Sequence, residues 1–396
     1  MSLATPPVAA TGVARWREAA LPGRSWAQWH RDTAAYSVGV EDEAMLLDAG
    51  THALAHQADS VLDGLSETLR AKACLETHAC VIELRTRPHA TVPGAIGELR
   101  RLRSALACEL TGMGLRPASA GTHPLASPAD GEHSRSARYQ FVADTMRSLA
   151  HREPTMALHV HIGIPQPEDA IRVLNRLRDN IPVLIALSAN SPFADGRDAG
   201  FASARTNIFS GFPRTGLPRP FHSYLDYVEA VDALIASGAI PDPTFLWWDV
   251  RLQPRLGTVE VRAMDASSTL SEAAALVALV QSLARLELEG GPIKRWTGPE
   301  VLGENRFIAA RDGAEARLID PSSRRLVSVE ATVARLVEDC RPHATKLGCA
   351  AALEDVPRLL GANGAARQRA AGAIHGIASV APALADQFSS RGFPLC

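Results

Sequence analysis

The sequence carries almost no net charge: 41 Lys and Arg stand against 43 Asp and Glu, for a formal charge of -2 and a pI of about 6.7. It therefore lacks the basic stripe that follows a nucleic-acid backbone, and it lacks the block of one sign that marks a solvated tail. Cysteine is scarce and unpatterned. The six residues Cys74, Cys80, Cys108, Cys340, Cys349 and Cys396 form no C-x-x-C and no zinc-finger spacing. That argues against a thiolate-bound structural metal and points to ordinary thiols of an intracellular protein. No apolar run reaches transmembrane length; the longest, 181–190, is far too short. Residues 1–30 show no continuous apolar stretch of a signal peptide, and Arg15, Arg17 and Arg24 outnumber their one acid, Glu18. A cytoplasmic chain with neither membrane nor nucleic-acid partner is expected. The standard nucleotide signatures are missing too: there is no G-x-x-x-x-G-K-[ST], no kinase motif set, and no G-x-G-x-x-G between a strand and a helix. A nucleotide user built on this sequence needs another kind of cradle.

The 396 residues are 46% hydrophobic, enough for a large core. Residues 1–34 read as an Ala/Pro-rich extension, poorly ordered, and 35–396 as one domain ending in a helical part. Alternation predicts strands over 36–48, 80–86, 115–121, 155–164, 245–252 and 258–264. Helical spacing predicts helices over 54–71, 92–110, 136–150, 167–188, 221–238 and 271–289, and an Ala-rich helical remainder. The segment 190–220 reads as a long loop rich in Gly, Pro, Ser and Arg. Loops of that length are uncommon unless functional, so it is a candidate lid, with Arg205, Arg214 and Arg219 as anion-binding residues. The mixture predicts an α+β fold, a sheet with helices on one face.

Residues two apart on a strand share a face. By that rule Glu41 pairs with Glu43, Glu83 with Arg85, His159 with His161, Asp249 with Arg251, and Glu260 with Arg262, while the residues between them are mostly apolar. Any one such pair fits a solvated sheet face. Five pairs built of acids, His and Arg, with no Lys among them, fit instead a site that holds cations and anions together. Carboxylates with one or two imidazoles favour Mg²⁺ or Mn²⁺ over soft metals, and such ions bridge to phosphates. Arginines beside them would neutralise a phosphoryl group in transit.

The chain resembles the carboxylate–amine ligases of the glutamate–cysteine ligase type 2 family. The resemblance is carried by SVGVEDEAMLLD (37–48), AGTHPLA (120–126), HVHIGIP (159–165), ALSANSPFADGRDAGFASARTNIFSGFPRTG (186–216), WWDVRLQPRLGTVEVRAMDA (247–266) and ENRFIAAR (304–311), in family order. It implies a glutamine synthetase/guanido kinase-like core, an antiparallel sheet with a polar concave face and helices packed on the other. It implies ATP and Mg²⁺, with Mn²⁺ as a substitute, and an acyl-phosphate route joining an amino-acid carboxylate to an amine. A homodimer fits the family. By resemblance, Glu41, Glu43, Glu76, Glu83, His159 and Glu260 are metal ligands; Arg262, Arg251 and Arg205 face the reacting groups; and Asn305, Arg306 and Arg262 contact the nucleotide. Three departures stand out. Ala79 replaces an acid, Arg85 replaces a small residue, and Leu252-Gln253 replaces Pro-Ser. Two other readings stay open: a metal-dependent hydrolase using His159 and His161, and a non-catalytic descendant that binds a nucleotide or amino acid.

Overall fold

The computed structural model describes residues 24–289 and 297–389. Its centre is an antiparallel seven-stranded sheet. The strands are β1 (Val38–Asp48), β2 (Ala73–Leu75), β3 (Val81–Arg85), β4 (Leu115–Ala118), β5 (Ala157–Gly163), β6 (Val250–Gln253) and β7 (Thr258–Asp265). Their order is β6-β7-β5-β1-β3-β2, with β4 also paired to β1. The long β1 makes this possible. Its first half pairs with β5, its middle with β3 and its end with β4.

Alternation divides the sheet into two chemically different faces. Val38, Val40, Ala44 and Leu46 of β1, Leu158, Val160 and Ile162 of β5, and Val259 and Val261 of β7 belong to one large apolar core. Helices α1 (Val92–Thr111), α2 (Pro167–Ser188) and α4 (Leu270–Glu289) cover that face, α6 (Val329–Leu347) packs behind α4 and α2, and between α2 and α4 in the chain lies the short α3 (Ala204–Phe209). Thr91 caps α1 by accepting from the Gly94 amide, with Pro93 in its first turn. Pro167 opens α2, and Glu168 and Asp169 complement its dipole. On the opposite face the strand ends are apolar. Met45, Leu47, Val81 and Met156 pack with Val380, Ala381, Leu384 and Ala385 near the C-terminal end. What remains of that face is the polar half that holds the ionisable pairs.

Several expectations change. The stretch 54–71 is two short helices, Ala58–Gly64 and Glu67–Arg70, broken where Leu65 turns extended. The helical remainder contains α5 (Pro299–Asp312) and also a hairpin of β8 (Arg317–Asp320) and β9 (Arg325–Ser328). The end of the expected poorly ordered extension is ordered. Trp26 and Trp29 are buried, and the Trp29 indole donates to Ile164 O at 2.9 Å; residues 1–23 lie outside the described set. Nor is the segment from residue 190 a structureless lid. It contains α3, and its start is fixed by the buried Asp265 carboxylate, which accepts from Asn190 N at 2.8 Å, Ser191 Oγ at 2.7 Å and Ser203 Oγ at 2.8 Å. A segment pinned this way cannot open without unpairing a buried charge. Cys74, Cys80, Cys340 and Cys349 are free thiols, as expected, whereas Cys108 is disulfide-bonded.

Candidate active site

Register brings the pairs together. Glu41 lies opposite His159 on β5 and opposite Arg85 on β3; Glu43 lies opposite Glu83; Glu260 lies opposite both His161 and Arg251. The side chains meet over the middle of the sheet. Glu41 Oε2 is 3.1 Å from His159 Nδ1, and Glu41 Oε1 is 3.3 Å from His161 Nε2. Glu43 Oε1 is 3.7 Å from His159 Nε2, while its other oxygen accepts from the Ala157 amide at 2.7 Å. Three sets of side chains each present ligand atoms within 4.8 Å of one another: Glu41, His161 and Glu260; Glu41, Glu83 and His159; and Glu43, Glu76 and Glu83. The Glu76 carboxylate completes the last set from the connection before β3, with residue 79 contributing no ligand. Hard oxygen donors with at most one imidazole per set suit Mg²⁺ or Mn²⁺. The buried His161 Nε2 has no hydrogen-bond partner while Nδ1 meets Thr258 Oγ1 at 3.0 Å, so in the tautomer protonated at Nδ1 the Nε2 lone pair is one that a cation in this set would satisfy.

The acids divide into two groups. Burial alone would raise Glu41, but His161 and the hydrogen bond with His159 outweigh it and hold the carboxyl well below its usual range. Glu260 is also held low against its burial, by Arg251 and then Arg262. In the other group, burial and the neighbouring Glu76 push Glu43 up to about 8. Burial raises Glu76, and burial with the charge of Glu41 raises Glu83. Burial and the nearby Arg262 lower His159 to about 4, whereas Glu41 and Glu260 overcome burial to raise His161. One side of the cluster is thus a charge-balanced network of acids, imidazoles and guanidinia. The other is a trio of carboxyls that cannot all ionise unless a cation joins them.

The arginines are held differently. Arg251 donates to Glu260 Oε2 at 2.7 Å and to the carbonyls of Leu246 and Thr244 at 2.9 and 3.0 Å. Arg262 also pairs with Glu260 and leans on the cluster. Arg205 donates to the carbonyls of Ala263 and Arg262, at 3.2 and 3.1 Å. Those carbonyls sit where a register shift interrupts β7, so Arg205 satisfies groups that the ladder leaves open. Arg306 lies aside, clamped on Asp249 at 2.7 Å and on Ser210 at 2.8 Å. Asn305 uses both ends of its amide on the Ile319 main chain, at 2.9 and 2.7 Å. Asp249, grouped with Arg251 from sequence, thus pairs with Arg306 instead. Arg214 stacks on Trp247 and donates to Phe245 O, and Arg219 pairs with Asp226, so neither joins the cluster.

Three residues were not foreseen. Gln253 donates to Glu260 Oε2 at 2.7 Å; it stands two residues from Arg251, and the same-face rule would have found it. Cys74 donates its thiol to Glu83 Oε1 at 3.0 Å from the edge strand β2, which is too short to read from sequence. Arg138 stacks on Phe245, holds Thr244 Oγ1 at 2.9 Å and lines the acid chamber, with no local signal to announce it.

The cluster borders three spaces that share lining residues. A compact cavity of ≈ 70 Å³ is walled by Phe209, Phe212 and Trp247 and reaches Glu43, Glu76 and Arg262. A polar chamber of ≈ 290 Å³ reaches Glu41, Glu76, Glu83 and Arg262. A larger chamber of ≈ 660 Å³ lies beyond Glu41 and His161 and carries Lys72, Arg85, His89 and Arg255 on its walls.

Comparison with known proteins agrees with this architecture. The family model "Glutamate-cysteine ligase family 2 (GCS2)" matches residues 37–379. A Rubrobacter xylanophilus protein provisionally named glutamate–cysteine ligase 2-3 is 40% identical over 354 residues, covering 89% of this chain and 96% of that protein. A second from that organism, provisionally named glutamate–cysteine ligase 2-1, is 38% identical over 342 residues, covering 85% and 90%. Among solved structures, the Francisella tularensis glutamate–cysteine ligase in complex with AMP superposes with a TM-score of 0.65 at 14% identity, covering 92% of this chain and 91% of that one. A bifunctional glutathione synthetase from Pasteurella multocida gives 0.63 at 14% identity, covering 89% of this chain and 52% of that one. The sheet with its polar face is therefore the fold of these ligases, and the chain belongs to glutamate–cysteine ligase family 2.

Proposed function

We propose that this member of glutamate–cysteine ligase family 2 is an ATP- and Mg²⁺-dependent ligase that joins an amino-acid carboxylate to an amine through an acyl phosphate. The observation that carries the reading is the convergence of three metal-type side-chain sets on one sheet face, bordered by Arg262 and Arg251. Glu41, Glu43, Glu76, Glu83, His159, His161 and Glu260 are the residues that would hold the ions. When bound, Mg²⁺ supplies charge neutralisation for the phosphates.

The chain's own contribution is positioning and preorganised charge. The nucleotide fits the ≈ 660 Å³ chamber, which falls in the usual range for ligand pockets of about 300–1,000 Å³ and bears the cations. The ≈ 70 Å³ cavity suits a small amino acid or amine against its aromatic wall. A carboxylate oxygen of the first substrate attacks the γ-phosphorus, and the bond to the bridging oxygen breaks as ADP leaves. The amine then attacks the carbonyl carbon, phosphate leaves, and the amine loses a proton. Arg262, fixed by Glu260, faces the acid chamber and would meet the charge that gathers on the phosphoryl oxygens. Arg251 holds Glu260 in place, and Arg205 holds the interrupted backbone of β7, so both act by positioning.

The test is ADP release with Mg²⁺ and ATP across a matrix of amino acids and amines that includes glutamate with cysteine. The expected result is ADP formed only with one particular pair, with ¹⁸O carried from the labelled carboxylate into phosphate. Glu41→Gln and Glu260→Gln should both abolish turnover. ADP that never rises above background with any pair would overturn the ligase reading.

A further inference from the structure

The polar chamber and the large chamber share two side chains, Glu41 and Arg85. They are direct register partners on β1 and β3, so they stand side by side on the wall that the two chambers share. Apart from Arg255, which lines only the large chamber, the other arginines and lysine of the two chambers have partners. Arg251 and Arg262 pair with Glu260, Arg138 holds Thr244, and Lys72 pairs with Glu98 at 3.4 Å. Arg85 is different. Its side chain is 50% exposed, and its one oppositely charged neighbour within ion-pair distance among the described residues is Glu83, with Nε and Oε1 3.7 Å apart. That is beyond hydrogen-bond length, so the guanidinium donors are available to a ligand.

We propose that Arg85 binds the γ-phosphoryl group of ATP and stays on it as it moves from the nucleotide to the substrate carboxylate. This rests on the ligase reading above and on the nucleotide occupying the large chamber. In the transfer, the bond from phosphorus to the β,γ-bridging oxygen breaks on the large-chamber side, and ADP keeps that electron pair. The new bond to the carboxylate oxygen forms on the polar-chamber side, and no proton moves in this step. A side chain that faces only one chamber loses the phosphoryl oxygens part-way; one that lines both does not. The planar guanidinium can hold two of those oxygens at once, which an ammonium at the same place cannot.

The experiment is calorimetric binding of Mg·AMP-PNP and of Mg·ADP to wild type, Arg85→Gln and Arg85→Lys. Arg85 is half exposed and makes no side-chain hydrogen bond among the described residues, so the variants should fold, which a thermal melt checks. Arg85→Gln should weaken Mg·AMP-PNP on the order of 10- to 100-fold, the size of a charge-assisted contact, while Mg·ADP changes less than about threefold. Arg85→Lys should recover part of the loss. Equal weakening of both nucleotides, or no change in either, overturns the proposal and leaves Arg85 as a neutraliser of Glu83. Wild-type protein that binds neither nucleotide overturns the ligase reading as well, so the two failures are distinct.

Discussion

Arg103 closes on Asp42 beneath the sheet with two parallel hydrogen bonds, Nε to Oδ2 at 2.8 Å and Nη2 to Oδ1 at 2.7 Å. Asp42 sits between Glu41 and Glu43 in sequence but points the opposite way, into the helix-covered core. Arg103 also donates to the carbonyls of Ser267 and Ser268, so the buried pair is well supplied with partners. A slip of β1 by one residue would send Glu41 and Glu43 into the core and Asp42 into the site, and the pair opposes that slip. Asp42→Ala leaves a buried guanidinium without a counter-ion, and it should cost about 3–5 kcal/mol. Asp42→Leu combined with Arg103→Met should cost much less. Urea unfolding midpoints measure both, and an unchanged midpoint in Asp42→Ala would rule out the role.

Asn305 supports the hairpin of β8 and β9 by pairing with both main-chain groups of Ile319. Asn305→Ala should therefore lower stability by about 1–3 kcal/mol, the cost of leaving partly buried main-chain groups unpaired, with the Kd for Mg·ATP unchanged. A weakened Kd at full stability would instead restore the nucleotide contact implied by the family resemblance.

The metal-type cluster was legible because a single rule, same face at i and i+2, acts along each strand independently. Glu41 with Glu43, His159 with His161, and Glu260 with Arg262 follow from it directly. Helix α2 was legible because its proline and acidic start are local signals. What the rule cannot reach is contact between elements. Nothing near Arg138 says that it stacks on Phe245, and nothing near residues 190–206 says that Asp265 will hold them. The hairpin at 317–328 was hidden because its strands are four residues each, without an apolar alternation to mark them.

Gly257 ties the outer end of the large chamber together. It adopts φ 64°, in the left-handed region, and a Cβ there would collide with the main-chain oxygen of His30. His30 N in turn donates to Pro254 O at 2.8 Å. Gly257→Ala meets both penalties. The backbone term alone is about 1–2 kcal/mol for a residue with a side chain, and the collision must displace residues 30–34, which wall the chamber. The expected outcome is a lower unfolding midpoint together with weaker Mg·ATP binding. Weaker stability with unaltered binding would show that this wall does not touch the nucleotide.

The trio of Glu43, Glu76 and Glu83 makes stability depend on pH and metal together. Burial first, then Glu76, pushes Glu43 up to about 8 from an ordinary 4.5, and Glu76 and Glu83 are raised as well. Between those values the metal-free folded state holds protons that the unfolded chain has released. The trio's own contribution to stability is therefore greatest below about pH 4.5 and is lost as the pH rises through about 8. Glu41 and Glu260 shift the opposite way, so their contribution is lost only at more acidic pH. The buried His159, lowered to about 4, works the other way up to about pH 6.5, so in EDTA the Tm should fall as the pH rises from about 7 to about 8. Mg²⁺ competes with the trio's protons, so it should raise the Tm more at about pH 8 than at about pH 6. Calorimetric titration of Mg²⁺ near pH 7, repeated in buffers of different ionisation enthalpy, should show proton release, and Glu43→Gln should reduce it. Binding heats that do not depend on the buffer would mean that these carboxyls are already ionised without metal, and the trio would not be a cation site of the kind argued here.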